Sequence, residues 1–213
     1  MGETERDWQT RANRVMAATN EDEVRDGYDA WAEQYDEDHV NFGLLLLGHF
    51  LAVFCRHVEP GTGPILDAGA GTGRLGENLF LHGYDDFVGI DLSPGMLEVA
   101  AGKPGYREVR VQRLGDRLEF DDDSFTAVAS LGAFAPNLAR ADAFDELIRV
   151  TRPGGILVLS LRVGFETEVG FDQRRQALEN AGLWQYVDGI DEFMSHPELD
   201  RSIRYAVHAY RKC

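Results

Sequence analysis

The segment Ile65-Leu-Asp-Ala-Gly-Ala-Gly-Thr-Gly-Arg-Leu75 constrains this chain more than any other, because an apolar run passes through three alternating glycines into a helical pattern. Glycines at 69, 71 and 73 let the backbone turn sharply and bring a ligand against main-chain amides at a helix N-terminus. The next apolar run ends in Asp91, where a carboxylate commonly accepts both ribose hydroxyls of a nucleoside. The spacing is G-x-G-x-G, not the G-x-G-x-x-G that cradles a pyrophosphate. Asp67, two residues before the first glycine, disfavours a pyrophosphate and suits an ammonium group. A nucleoside carrying an amino acid fits this loop better than a dinucleotide does.

The surrounding pattern places the loop in a parallel sheet. Short apolar runs at 65–68, 87–91, 108–114, 126–131 and 156–161 read as strands, and amphipathic stretches at 74–81, 94–101 and 140–150 read as the helices between them. A further helix is expected at 171–181 and a last strand at 203–210. Arg152-Pro-Gly-Gly155 reads as a helix-to-strand turn. Two helices, 21–35 and 44–58, precede this unit. The organisation expected is a helical cap over residues 1–60 and one folding unit over 61–213, an α/β fold of strands alternating with helices.

Composition excludes several function classes. Asp and Glu total 37 against 21 Lys and Arg, a formal charge of -16, and such a surface repels phosphate backbones and acidic membranes. No nucleic acid or membrane partner is expected. No apolar run approaches the roughly 20 residues that span a bilayer, and the first residues lack a secretory signal, so the chain is expected to be cytoplasmic. Cys55 and Cys213 have no metal-ligand spacing and no need to pair. No metal is expected.

Taken together, the acidic residue before G-x-G-x-G, Val88-Gly-Ile-Asp91-Leu-Ser-Pro-Gly-Met96, Gly115-Asp116-Arg117-Leu118, Asp123-Ser-Phe125 and Arg149-Val-Thr-Arg-Pro-Gly-Gly155 resemble the class I S-adenosylmethionine-dependent methyltransferases in order and spacing. The tail, from Ala177 to Trp184 and from Ala209 to Lys212, is similar to the methyltransferase-like proteins of the Williams–Beuren syndrome region. The resemblance implies a Rossmann-like, seven-stranded, mostly parallel sheet with an antiparallel last strand, S-adenosyl-L-methionine as cofactor and S-adenosyl-L-homocysteine as product. It also implies roles. Asp67 would hold the methionine ammonium, with the backbone of Ala68, Gly69, Ala70 and Gly71 against the cofactor. Asp91 would bind the ribose, Leu92 and Met96 would line the adenine pocket, and Asp116 in the Gly115–Arg117 turn would accept from the adenine amino group, Arg117 adding a backbone amide. The carbonyl of Leu131 would meet the methionine portion.

Methyl transfer from a sulfonium asks chiefly for alignment and exclusion of water. Tyr28, Trp31 and Tyr35, at i, i+3 and i+7, share one helix face that could fold over the cleft, since aromatic faces attract sulfonium cations by roughly 0.5–2 kcal/mol. Tyr35 and, in a polar turn beyond it, His39 are the catalytic candidates, with Asn41 beside them. Phe134 is expected as an apolar wall of the acceptor pocket and Arg162 as a substrate contact. An Asn/Asp-Pro-Pro-aromatic tetrad is absent after the fourth strand, where Gly132-Ala-Phe-Ala-Pro-Asn137 stands, which argues against base N-methylation. The reading is a methyltransferase for a small-molecule acceptor with an N or O nucleophile, a cationic or neutral one in view of the acidic surface, acting as a monomer or homodimer. A non-catalytic cofactor-binding protein is the alternative. A nicotinamide oxidoreductase is disfavoured, because neither Lys103 nor Lys212 completes a Tyr-x-x-x-Lys pair.

Overall fold

A computed structural model describes residues 3–40, 44–135, 138–164, 170–195 and 202–213. Its elements are α1 (Glu3–Met16), α2 (Glu21–Val40), α3 (Leu44–His57), β1 (Ile65–Ala68), α4 (Arg74–Phe80), β2 (Phe87–Asp91), α5 (Pro94–Ala101), β3 (Tyr106–Val111), β4 (Phe125–Phe134), α6 (Ala143–Val150), β5 (Thr151–Arg162), α7 (Phe171–Asn180), β6 (Trp184–Met194) and β7 (Arg204–Lys212). The strands form one seven-stranded sheet in the order β3-β2-β1-β4-β5-β7-β6. The first five run parallel, and β7 is antiparallel to both β5 and β6. The fold is the Rossmann-like α/β sandwich expected.

Strands covered on both faces need apolar side chains on both, and β1 is buried along its whole length. Alternation then sorts the core. Leu66, Val88, Val128 and Leu157 face α6, α7, Trp184 and Tyr210, while Ile65, Ala127, Val158 and Val207 face Phe50, Phe54 and Leu79 of α3 and α4. Chain order reverses between β1 and β4, so the loops after β1, β2, β3 and β4 open a crevice at the carboxyl edge of the sheet.

Four expectations need correction. Three helices precede the sheet, not two: α1 carries few apolar residues and packs mainly on α2, with Arg11 paired to Asp38 at 2.7 Å. His39 lies on α2 rather than in a turn, because the helix continues to Val40; Asn41 lies outside the described residues. β6 was not foreseen, since Asp188, Asp191 and Glu192 break its apolar alternation; as an edge strand paired on one side only, it does not need that alternation. Arg152-Pro-Gly-Gly155 is extended, with Thr151 already opposite Phe125, and a bulge with Gly154 at φ +77° brings Ile156 opposite Ala127.

α2 is tied to the sheet through carboxylates. Asn20 caps it by accepting from the Glu23 amide at 3.0 Å, while the Glu23 carboxylate accepts from the Thr19 amide at 2.8 Å. Further along, Asp29 accepts from the Gly95 amide at 2.8 Å and from the Ser93 hydroxyl at the start of α5. Asp36 accepts from the Thr72 hydroxyl at 2.5 Å and pairs with Lys103, whose side chain is only 11% exposed. One helix thus crosses the crevice, held at its middle and toward its C-terminal end. Among the described residues, no helix is long and apolar enough to cross a membrane.

Candidate active site

The crevice holds two cavities of about 200 and 260 Å³ that share Tyr28, Tyr35, Gly69, Gly71, Leu131, Gly132 and Leu138. The smaller is bounded by Asp91, Leu92 and Met96 from the end of β2 and the start of α5, by Gln112, Arg113 and Leu114 after β3, and by Asp142. The larger lies under α1 and α2, where Trp8, Trp31, His39, Asp67, Arg162 and Tyr205 line it.

The glycine turn forms because each of its glycines sits at positive φ, 80°, 54° and 79° at 69, 71 and 73. The amides of Gly69 and Ala70 donate to the carbonyl of Ile90 at 2.8 and 2.9 Å, which fastens the turn to β2. A side chain at Gly71 would meet nothing within 4 Å, so the loop presents bare backbone to the cavity. Asp91 completes this wall. Its Oδ2 accepts from the Gly71 amide at 2.8 Å and its Oδ1 from the Ser93 amide at 2.9 Å, leaving lone pairs for hydroxyl donors. Burial pushes its carboxyl up, and the Ser93, Gly71 and Leu92 amides oppose the shift.

Asp67 is 1% exposed, at the end of β1 between Gly89 and Ala129. Its Oδ2 accepts from the Tyr106 hydroxyl at 2.5 Å, whereas its Oδ1 has no partner among the described residues. Burial pushes its carboxyl up to about 7; the Tyr106 hydrogen bond lowers it and the charge of Asp91 raises it. A buried carboxylate oxygen without a donor is costly. An ammonium group supplied by a ligand would satisfy it.

The aromatic face of α2 is real and turned inward. Tyr35 packs edge-on to Trp31 at 5.0 Å between centroids and stacks on His39 at 3.9 Å, with His39 Nδ1 3.0 Å from the Tyr35 carbonyl. Trp31 Nε1 donates to Asp38 at 2.6 Å. Burial holds the Tyr35 phenol well above the ordinary tyrosine range, so its hydroxyl keeps its proton at neutral pH.

Thus Tyr28, Trp31, Tyr35, His39, Asp67, Gly69, Ala70, Gly71, Asp91, Leu92, Met96, Leu131 and Arg162 are brought together around the two cavities. Ala68 is buried within β1, where its carbonyl accepts from Ser130 at 2.7 Å. Phe134, expected as a pocket wall, lines neither cavity: it is 3% exposed and packs on Phe144 at 4.8 Å, on the sheet face covered by α6. Gly115, Asp116 and Arg117 also fall outside the cavity walls. β3 ends at Val111, three residues before the expected end, so Gln112, Arg113 and Leu114 occupy the mouth instead. Asp116 points to solvent and binds Arg113 at 2.9 Å, and Arg113 also pairs with Glu21 at the start of α2. Gln112, Arg113 and Tyr106 were missed; the rule that ligands meet the carboxyl ends of parallel strands would have pointed to the first two. Asn137 lies outside the described residues.

Comparison with known proteins agrees with this geometry. A methyltransferase domain family matches residues 66–159. The chain is similar to the human methyltransferase-like protein 27, 34% identical over 74% of this chain and 66% of that one. It is also similar to a demethylmenaquinone methyltransferase of Paenarthrobacter aurescens, 32% identical over 70% of this chain and 58% of that one, so it spans somewhat under two thirds of these relatives. A solved TehB-like methyltransferase from Corynebacterium glutamicum has the same fold, with a TM-score of 0.62 and 21% identity over 87% of this chain and 98% of that one. Motif, sheet order and relatives agree: the chain carries a methyltransferase domain over residues 66–159, on the fold of the class I S-adenosylmethionine-dependent methyltransferases.

Proposed function

We propose that this protein transfers a methyl group from S-adenosylmethionine to a small molecule bound under α1 and α2. The observation that carries the reading is the pair of carboxylates on one crevice wall: Asp67, with a buried unpartnered oxygen, and Asp91, held by the Gly71 amide. Their chemistry matches the two polar ends of an amino-acid nucleoside. Asp67 would take the ammonium, Asp91 the ribose hydroxyls, and Leu92 and Met96 the flat face of the base. The bare backbone at Gly71 leaves room for the ligand between them.

When bound, S-adenosylmethionine supplies a methyl group on a sulfonium leaving group, and S-adenosylhomocysteine is the product. The protein's own part is then to align an acceptor and keep water out. Tyr28, Trp31, Tyr35 and Tyr205 offer rings to an acceptor with a flat or apolar body, and the anchored α2 covers it. Tyr35 keeps its proton and so orients rather than abstracts; His39, stacked upon it, is the group placed to receive a proton from an N or O nucleophile. Residues 1–60 serve as the cap of the 61–213 unit in this reading. The name of the bacterial relative, which gives a small molecule as acceptor, agrees with it.

Calorimetric titration with S-adenosylmethionine, S-adenosylhomocysteine and NADH tests the proposal. Both sulfur nucleosides should bind and NADH should not, and Asp91→Ala should weaken binding by at least about tenfold, the loss of one hydrogen bond to a charged group. Binding of NADH in their place would overturn it. Label from methyl-labelled S-adenosylmethionine should then appear in a pool of neutral metabolites; cofactor binding with transfer to no acceptor pool would refute turnover.

A further inference from the structure

Tyr106 binds Asp67 without itself lining either cavity, and the chain has cleared space for its ring. A Cβ added at Gly73 would lie 2.9 Å from Tyr106 Cε2, at Gly76 2.5 Å from its hydroxyl, and at Gly89 3.0 Å from Cε1. These glycines come from three places, the end of the turn, the first part of α4 and the middle of β2, and together they form a slot as wide as one aromatic ring. From it the hydroxyl reaches Asp67 Oδ2 at 2.5 Å. The other carboxylate oxygen, which lacks a partner among the described residues, belongs to the side chain that lines the larger cavity.

We infer that Tyr106 is a positioning residue: it holds one oxygen of Asp67 so that the other meets the ligand's ammonium, and it favours the charged carboxylate in its buried setting. The inference rests on the proposed cofactor reading. Its physical basis is that a hydroxyl donating to a carboxylate stabilises the ionised form, and only that form attracts a cation. The direction of the Asp67 shift agrees, since burial raises the carboxyl and the Tyr106 hydrogen bond lowers it. The other charged or titratable groups lining the two cavities are Glu21, Tyr28, Tyr35, His39, Arg74, Asp91, Arg113, Arg140, Asp142, Arg162 and Tyr205, and the Tyr106 change alters none of these side chains.

The test is Tyr106→Phe, which keeps the ring in its slot. Affinity is measured from pH 6 to 9 for S-adenosylhomocysteine and for methylthioadenosine, which lacks the amino-acid portion. If loss of the hydroxyl raises the Asp67 carboxyl by one unit, its ionised fraction at pH 7 falls from about one half to about one eleventh and binding of S-adenosylhomocysteine weakens about fivefold. The midpoint of its pH profile should move upward, and methylthioadenosine should bind as tightly as before. An unchanged midpoint and affinity would overturn the inference, as would an equal loss for both ligands, which would make the hydroxyl a merely structural support. Wild-type protein that bound neither ligand would instead overturn the cofactor reading beneath it.

Discussion

Gly76→Ala sets two effects of known size against each other. Gly76 lies inside α4, where alanine is ordinarily worth about 1 kcal/mol more than glycine because it restricts the unfolded chain. At this position, however, the new Cβ would fall 2.5 Å from the Tyr106 hydroxyl and 2.6 Å from two of its ring atoms. The ring has no easy retreat, since Gly73 and Gly89 close the slot on its other sides. Overpacking of this kind costs about 1–3 kcal/mol, which exceeds the helix gain over most of that range. We expect a net loss of about 1 kcal/mol, the middle of that difference, and for a chain of this length a fall in Tm of roughly 2–4 °C. Displacing the ring also pulls its hydroxyl from Asp67, so cofactor binding should weaken along with stability. The sharper assay is a double-mutant cycle by thermal and denaturant unfolding. In a Tyr106→Leu background the offending atoms are gone, and the same Gly76→Ala change should stabilise by up to about 1 kcal/mol. A Gly76→Ala protein as stable as wild type, or the same sign of effect in both backgrounds, would refute the reasoning.

The pH dependence of ligand binding follows from Asp67. Its carboxyl is raised to about 7, so in the unliganded protein its contribution to stability is greatest below its unfolded value and is lost as pH rises toward 7. An ammonium ligand selects the ionised form, and affinity for S-adenosylmethionine should therefore rise about tenfold between pH 6 and 8. Asp67→Asn should bind weakly and flatten that profile; a slope that persisted in the variant would assign it to another group, such as His39. For Tyr35, whose phenol burial keeps protonated, Tyr35→Phe should change kcat by less than about tenfold, whereas Tyr35→Ala should lose the packing on Trp31 and His39 and reduce turnover further. A kcat for Tyr35→Phe as low as for Tyr35→Ala would show that the hydroxyl itself takes part in the reaction.

The sequence by itself determined the features that are written locally. Apolar runs of strand length alternating with amphipathic helices specify a parallel sheet, and three glycines at alternate positions specify a turn that exposes backbone. Asp67 and Asp91 could be placed because they stand in the last two positions of apolar strands, and chain direction then puts both at the same edge of the sheet. The inward face of α2 was legible from the spacing of Tyr28, Trp31 and Tyr35 for the same reason. Tertiary structure decided whatever depends on where a strand ends or which face a residue takes. The end of β3 at Val111 carried Asp116 away from the crevice and brought Gln112 and Arg113 into it. Phe134, two residues past Gly132, went into the core because its side chain falls on the face covered by α6. The bonds from Tyr106 to Asp67 and from Thr72 to Asp36 join residues 39 and 36 positions apart, and no periodicity encodes such a pair. Only when β3 lies beside β2, and β2 beside β1, does a tyrosine reach across the intervening strand to the carboxylate at the centre of the site.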